Sequence, residues 1–183
     1  MKAARMKQSD LILRPLRIED EVAFRAAVEE FQQVEPDWAF AFHFDPVARF
    51  SDYVQTLTQW ANGEALPERF VPNTFLVGVV GKVVVGRVSL RHTLNDFLAR
   101  IGGHAGYGVV PSQRRRGYAT EMLRLTLPVA ASLKLKRLLL TCDDGNIGSQ
   151  RVIEKNGGVF EGFAEAPELK VPKRRYWIDL PKD

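Results

Sequence analysis

The spacing of hydrophobic residues changes along the chain, and in the first third it predicts one strand followed by two helices. Residues 11–16 begin with three apolar residues and contain Pro15 near their end, which predicts a short first strand closed by proline. Residues 19–32 place apolar side chains three or four positions apart, with acids in the first turn, which predicts an amphipathic helix. Residues 46–60 predict a second helix, which Asn62-Gly63 ends.

The middle of the chain has the β-branched, glycine-punctuated composition of strands. Three strands are predicted, over residues 74–80, 82–91 and 104–110. Gly81-Lys82 makes the first connection a tight hairpin, and residues 93–103 form a loop before the third of these strands.

Helices and strands alternate in the last third. Residues 117–133 predict a helix that Pro128 kinks or stiffens, and residues 147–155 predict a short one. A strand is predicted over residues 136–141, and its apolar run of three leucines, 138–140, is typical of a buried, parallel strand. Two final strands are predicted over residues 159–163 and 174–179.

The order β-α-α-β-β-β-α-β-α-β-β predicts an α/β (α+β) fold, with a mixed sheet of seven strands covered by helices. A length of 183 residues suits one domain, 1–183. The single cysteine, Cys142, cannot form an internal disulfide, and no apolar run is long enough for a signal sequence or a membrane span. We therefore expect a cytoplasmic protein with no membrane partner.

The net charge of +4 fits either nucleic acid or a polyanionic cofactor as partner. Basic residues cluster at 114–116 and 173–175. The first cluster lies where a strand ends, a turn follows and a helix begins, and free N–H groups and the helix dipole make such a helix start an anion site. Gly117 and Ala119 lack bulk, so a phosphate can approach the main chain. The alternative is a basic loop on an ordinary strand–helix connection.

Two blocks of sequence resemble signatures of the GNAT superfamily of N-acetyltransferases. Residues 109–119 resemble its acetyl-CoA signature, Val-x-Pro followed by Gln/Arg-x-x-Gly-x-Gly/Ala. Residues 146–158 resemble its Asn-x-x-Ser/Ala and Glu-Lys-x-Gly helix, and residues 90–95 resemble an uncharacterised bacterial group of predicted GNAT acetyltransferases. A dinucleotide-type Gly-x-Gly-x-x-Gly and a Walker lysine motif are absent.

The resemblance implies an acyltransferase whose mostly antiparallel sheet splays between the fourth and fifth strands. Acetyl-CoA is the implied co-substrate, with its pyrophosphate on the helix start and its pantetheine arm in the gap. A main-chain N–H there would also polarise the acetyl carbonyl. The residues implied to bind it are Tyr107, Val109, Arg114, Arg115, Arg116, Gly117, Tyr118, Ala119, Thr120 and Asn146. No metal and no nucleic acid are expected.

Two catalytic residues common in the family are missing. Ile153 replaces the tyrosine that serves as general acid, and Thr141 replaces the glutamate that serves as base in some members. Ser149 is the nearest replacement acid, with helix capping as the alternative. A water relayed from a nearby side chain could take the role of base, and the candidates are Asp143, Asp144 and His104. His104, which titrates near neutral pH, is equally an ordinary loop-edge histidine.

The acceptor is expected between the first two helices and the loop over residues 35–50. Trp38 and four phenylalanines could line it, and Asp37, Asp45 and Glu35 could hold a cationic amine. The favoured alternative places most of these aromatics in the core and the acids on a solvated rim. The predicted function is acetyl transfer to a primary amine of a small molecule or of a peptide or protein N-terminus. A non-catalytic acyl-CoA-binding domain, a nucleic-acid binder and a longer acyl chain are the alternatives, and a homodimer is possible.

Overall fold

A computed structural model describes residues 10–164 and 170–180 of the chain. In these residues, seven strands and four α-helices follow the predicted order. The strands are β1 Leu11–Pro15, β2 Asn73–Val80, β3 Val83–Arg91, β4 Ala105–Val109, β5 Arg137–Asp143, β6 Val159–Phe163 and β7 Lys173–Asp179. The helices are α1 Glu21–Val34, α2 Phe50–Ala61, α3 Tyr118–Ser132 and α4 Ile147–Lys155.

The second helix begins four residues later than predicted. Residues 46–49 form no helix because their backbone groups are used otherwise. The Asp45 carboxylate accepts the N–H of Val47, and the Arg25 guanidinium donates to the carbonyls of Pro46 and Ala48. Arg25 on α1 thus fixes this segment as a loop. The third helix, in contrast, continues through Pro128 to Ser132.

The strands form two sheets, ordered β1-β2-β3-β4 and β5-β7-β6. Within each sheet, all described neighbouring strands pair in antiparallel register. The mostly antiparallel seven-stranded fold is therefore confirmed. The prediction that β5 pairs as a parallel strand is wrong. Its only ladder among the described residues is antiparallel, to β7, and it pairs Leu138 with Ile178. Its apolar run arises because both faces of the strand are covered, so that Leu138, Leu139 and Leu140 are all buried.

Helices cover both faces of the first sheet. On β2, Phe75, Val77 and Val79 pack in one core with residues of α1 and α2. Leu76 and Val80 alternate with them and pack in a second core with residues of α3. The period-two pattern of β2 therefore separates an α1–α2 side from an α3 side.

The two sheets meet at one junction between β4 and β5. The N–H of His104 donates to the carbonyl of Leu139 at 2.7 Å. Beyond it, along the described strands, no ladder joins β4 to β5. The main-chain donors and acceptors on the facing edges of these two strands therefore do not pair with each other, and a gap lies between the strands.

The close packing of β3 on β4 and α3 yields a stability prediction at Gly86. A Cβ atom at this position would lie 2.5 Å from the Gly108 carbonyl oxygen and 2.7 Å from Met122 Cε. Met122 can move but the carbonyl cannot, so Gly86→Ala should lower the free energy of unfolding by about 1–3 kcal/mol in urea titration. Gly145→Ala, where an added Cβ meets nothing within 4 Å, is the control. Equal stability of the two variants would contradict this packing.

Candidate functional site

A cavity of about 1070 Å³ lies where β4 and β5 part. The first turns of α3 and α4 line one side of it, and residues of the loops around Trp38 and Ile101 line the other. The cavity therefore touches both the predicted cofactor-binding segment and the predicted acceptor side.

The start of α3 presents unpaired donors to this cavity. Gly117 is the N-cap residue with φ of 83°, and no side chain caps the helix. The first-turn N–H groups of Tyr118, Ala119 and Thr120 have no carbonyl one turn earlier to bond, so they are free for an anion. Arg115 also adopts a left-handed conformation, with φ of 63°. All five residues named here line the cavity.

The three arginines before α3 have different surroundings. Arg114 binds Glu35, with 2.6 Å between Nη2 and Oε1, and its Nε donates to the carbonyl of Val109. Arg115 is exposed at the cavity rim, whereas Arg116 is exposed and does not line the cavity. Arg114 therefore ties the loop after α1 to the end of β4.

The free edge of β4 carries Tyr107 and Val109. His104 and Val110 make the hydrogen bonds to β3, through Arg91 N–H to His104 O and Val110 N–H to Val85 O. Because bonded positions alternate along an antiparallel strand, the main-chain groups of Tyr107 and Val109 point away from β3 and into the gap. Their geometry fits the role predicted for them.

The side chains at the start of α4 lie on the same side of the cavity. Asn146 is the N-cap, and its Oδ1 accepts the N–H of Ser149 at 2.9 Å. Asn146 therefore has a structural task as well as a place in the cavity wall. The Ser149 hydroxyl makes no hydrogen bond within the described chain, and the Tyr107 hydroxyl donates to the Ser149 carbonyl at 3.4 Å.

The phenol of Tyr107 is a functional candidate that the sequence did not indicate. Burial raises the pKa of Tyr107, so its hydroxyl stays protonated and available as a donor. Its strand position predicts only the face on which the ring lies, and the distance to α4 depends on the tertiary structure. The buried Ile153, at the position of the missing tyrosine, packs in the core instead.

His104 belongs to the junction between the sheets and does not line the cavity. Its Nδ1 accepts the N–H of Leu139 at 2.9 Å, and the residue is buried. Burial, with a smaller effect of the Arg91 charge, lowers the pKa of His104 to about 4. These contacts favour a structural role for His104 at the junction of the sheets over a role in catalysis.

The neutral state of His104 predicts a pH-dependent stability. Its pKa of about 4 in the folded chain lies below the ordinary value of 6.5, so folding favours the neutral ring. The resulting stabilisation is present above pH 6.5 and is lost as the pH falls towards 4. His104→Asn, whose side-chain oxygen can accept the same N–H, should lose less unfolding free energy over this range. Parallel stability curves for the two proteins would refute this assignment.

The remaining titratable candidates are either protonated or ion-paired. Burial raises the pKa of Cys142 to about 11, so its thiol is not a nucleophile at neutral pH. Asp143 and Asp144, the other candidate relays, pair with Lys173 and Arg174. Arg175 pairs with Glu161, so each residue of the second basic cluster has an acidic partner.

The acceptor side differs from the expectation in its charges. Trp38 and Phe42 line the cavity, whereas Phe40 and Phe50 are buried in the core, as the favoured alternative has it. Asp37 and Asp45 are exposed and away from the cavity. Two arginines of β3, Arg87 and Arg91, line this wall in their place.

The sequence carries a signal for these arginines. Polar Arg87, Ser89 and Arg91 alternate with Val88 and Leu90 on a strand that lies between two others. A charged face on an internal strand is unusual, because both faces of such a strand are normally covered. That alternation marks a face turned towards a site.

The described residues contain no helix long and apolar enough to cross a bilayer. They also bring together no group of three or more histidine, cysteine, aspartate or glutamate side chains that could hold a metal ion.

The family profile described as "Acetyltransferase (GNAT) domain" matches residues 10–159. The chain therefore belongs to the GNAT acetyltransferase family and is an acyltransferase. No curated protein matches the sequence significantly.

Solved structures of bacterial proteins share the fold. RimJ of Mycobacterium smegmatis, solved with CoA-disulfide, has a TM-score of 0.69 at 21% identity, over 96% of this chain and 84% of RimJ. The ribosomal-protein-S5-alanine acetyltransferase of Vibrio fischeri has a TM-score of 0.69 at 17% identity, over 93% of both chains. The yncA protein of Salmonella typhimurium, solved with acetyl-CoA, has a TM-score of 0.61 at 13% identity, over 95% of this chain and 96% of yncA.

Proposed function

We propose that this chain transfers the acetyl group of acetyl-CoA to a primary amine of a small molecule or of a peptide N-terminus. One observation carries the proposal: an uncapped helix start and the free edge of β4 border the same cavity. Family membership supports acetyl transfer in general. The CoA ligands of the RimJ and yncA structures support the choice of donor.

The residues present fit such a donor. The first-turn amides of α3 and the small Gly117 and Ala119 suit a pyrophosphate, with Arg115 adding positive charge at the rim. The gap-facing main-chain groups of Tyr107 and Val109 suit an extended amide-bearing arm, which would bind like an added strand. Asn146 flanks the gap from α4.

Direct transfer requires few groups. The amine nitrogen bonds to the carbonyl carbon, the carbon–sulfur bond breaks, the amine loses one proton and the leaving sulfur gains one. A gap-facing N–H of β4 stabilises negative charge on the carbonyl oxygen. Among the residues with hydroxyls that line the cavity, we choose Ser149 and Tyr107 as candidates to protonate the sulfur, and the Ser149 hydroxyl makes no hydrogen bond within the described chain.

A non-catalytic acyl-CoA-binding domain is the second candidate function. The burial of Ile153 in the core favours it, because the position of the family's acid offers nothing to the cavity. CoA release with a panel of primary amines separates the two: turnover of any amine supports the enzyme, and tight CoA binding without turnover supports the binding domain.

The cofactor assignment is tested by an isosteric pair at Gly117. Asp and Asn both tolerate the left-handed conformation of this residue, but only Asp adds a charge facing the diphosphate. Gly117→Asp should weaken CoA binding by at least about tenfold relative to Gly117→Asn in calorimetric titration, through like-charge repulsion. Equal affinities of the two variants would remove the diphosphate from this turn.

The identity of the general acid is tested by removing the hydroxyl of Ser149 or of Tyr107. If Ser149 protonates the leaving sulfur, Ser149→Ala should lower kcat by about 10²-fold or more while the Kd for CoA stays unchanged. Tyr107→Phe is the matched comparison, since it removes the neighbouring hydroxyl and keeps the ring. A loss of kcat in Tyr107→Phe alone would transfer the role to Tyr107, and unchanged kcat in both variants would exclude these two hydroxyls as the acid.

A further inference from the structure

Two guanidinium groups stand together on the acceptor side of the cavity. Arg87 and Arg91 lie four residues apart on β3, so both side chains point to the α1–α2 side. They converge on Gly106 of β4, where an added Cβ would lie 3.4 Å from Arg91 Nη1 and 3.9 Å from Arg87 Nη1. The bare main chain of Gly106 thus lies beside two positive charges.

Neither arginine has a carboxylate partner among the described residues, although ion pairs are common elsewhere in the chain. The part-buried Arg14, for comparison, binds both oxygens of Asp20. Of the acids lining the cavity, Glu35 pairs with Arg114 and Asp143 with Lys173. Since burying a charge without a counter-charge is costly, two such arginines in one wall require an explanation.

The buried charge of Arg87 is stabilised by acceptors of the protein itself. It is 1% exposed, and it donates to the carbonyls of Phe40, Ala39 and Gly106 at 2.9, 2.6 and 3.1 Å. Its guanidinium also lies 4.1 Å from the ring centre of Trp38. Arg87 therefore holds the loop after α1 against the sheet, and it adds positive potential to the wall.

Arg91 has no comparable partners. The nearest acceptors of its guanidinium are the carbonyls of Gly102 and Gly103, at 3.4 and 3.5 Å, which is the long limit for a hydrogen bond. Burial alone lowers the pKa of Arg91. Its planar fork is left with donors that face the cavity, in the geometry that binds a carboxylate or a phosphate through two hydrogen bonds.

We propose that the acceptor amine carries an oxyanion group, a carboxylate or a phosphonate-type group, which Arg91 binds while the amine approaches the gap beside Gly106. This inference rests on the proposed acetyl transfer and narrows its acceptor. The group balances the unpaired charge of the wall, and an amine without such a group lacks this anchor. Arg91 is thus a specificity-determining residue.

The test compares paired acceptors in which one member carries the anionic group and the other carries its neutral amide or ester. The carboxylate arm pairs L-leucine with L-leucinamide and L-phenylalanine with L-phenylalaninamide, and the phosphonate arm pairs 2-aminoethylphosphonate with its diethyl ester. With acetyl-CoA as donor, the charged member of at least one pair should have a kcat/KM at least about tenfold higher, from a bidentate charge-assisted contact. The arm that shows the preference identifies the anion.

Variants of Arg91 test whether this residue causes the preference for the charged acceptor. Arg91→Met should remove the preference mainly by raising KM for the charged acceptor, whereas Arg91→Lys should keep part of it. Lys82→Met, which removes an exposed charge in the β2–β3 hairpin, is the control and should leave the preference intact. Equal use of charged and neutral acceptors, or a preference that survives Arg91→Met, would overturn the proposal.

Binding measurements distinguish a failure of the proposed acetyl transfer from a failure of the proposed anion site. The Kd for CoA should be the same in Arg91→Met and the wild-type protein, which shows that the variant is folded. If no amine is acetylated, the proposed activity fails, and the same acceptor pairs are titrated calorimetrically into the CoA-loaded protein. Tighter binding of the charged member that depends on Arg91 still supports the anion site, and equal binding of both members refutes it.

Discussion

The architecture of the site depends on the hydrogen bonds that β4 and β5 do not make with each other. His104 and Leu139 join the two sheets at one point, and past this junction each strand keeps its other ladder, to β3 or to β7. The unpaired edges are tolerated because they face a cavity rather than a packed core. Most of the residues proposed to bind the substrates line this opening, including the helix start at Gly117, and Arg116 is the exception.

Local chemistry made much of the fold predictable. The order of elements follows from the periodicity of apolar residues and from the glycine and proline residues that end each element. The basic turn before Gly117 indicates an anion site because the first turn of any helix has backbone N–H groups without intrahelical partners. The parallel prediction for β5 was wrong since burial on both faces, and not strand direction, produces an apolar run. The late start of α2 depends on Arg25, whose partners lie far along the chain and have no local signature.

The site was less predictable than the fold because it is built by contacts between distant segments. Ser149 and Tyr107 are 42 residues apart, and their proximity follows from the way α4 returns over β4. The arginines of β3 alternate visibly with apolar residues, but only tertiary structure distinguishes Arg87, which makes short hydrogen bonds to carbonyls, from Arg91, whose carbonyl contacts are long. A homodimer and a cytoplasmic location remain predictions.

Gly106 gives the proposed acceptor side of the cavity a floor of bare main chain, whereas the ring of Trp38 covers the neighbouring Gly108. Because Gly106 carries no side chain, the charge of the cavity beside it is set by the surrounding loops and by Arg87 and Arg91 of β3. Loops vary more readily than strands that hold a sheet together. Under the proposed function, substitutions in those loops can therefore alter which acceptor fits, while the free edge of β4 stays the same.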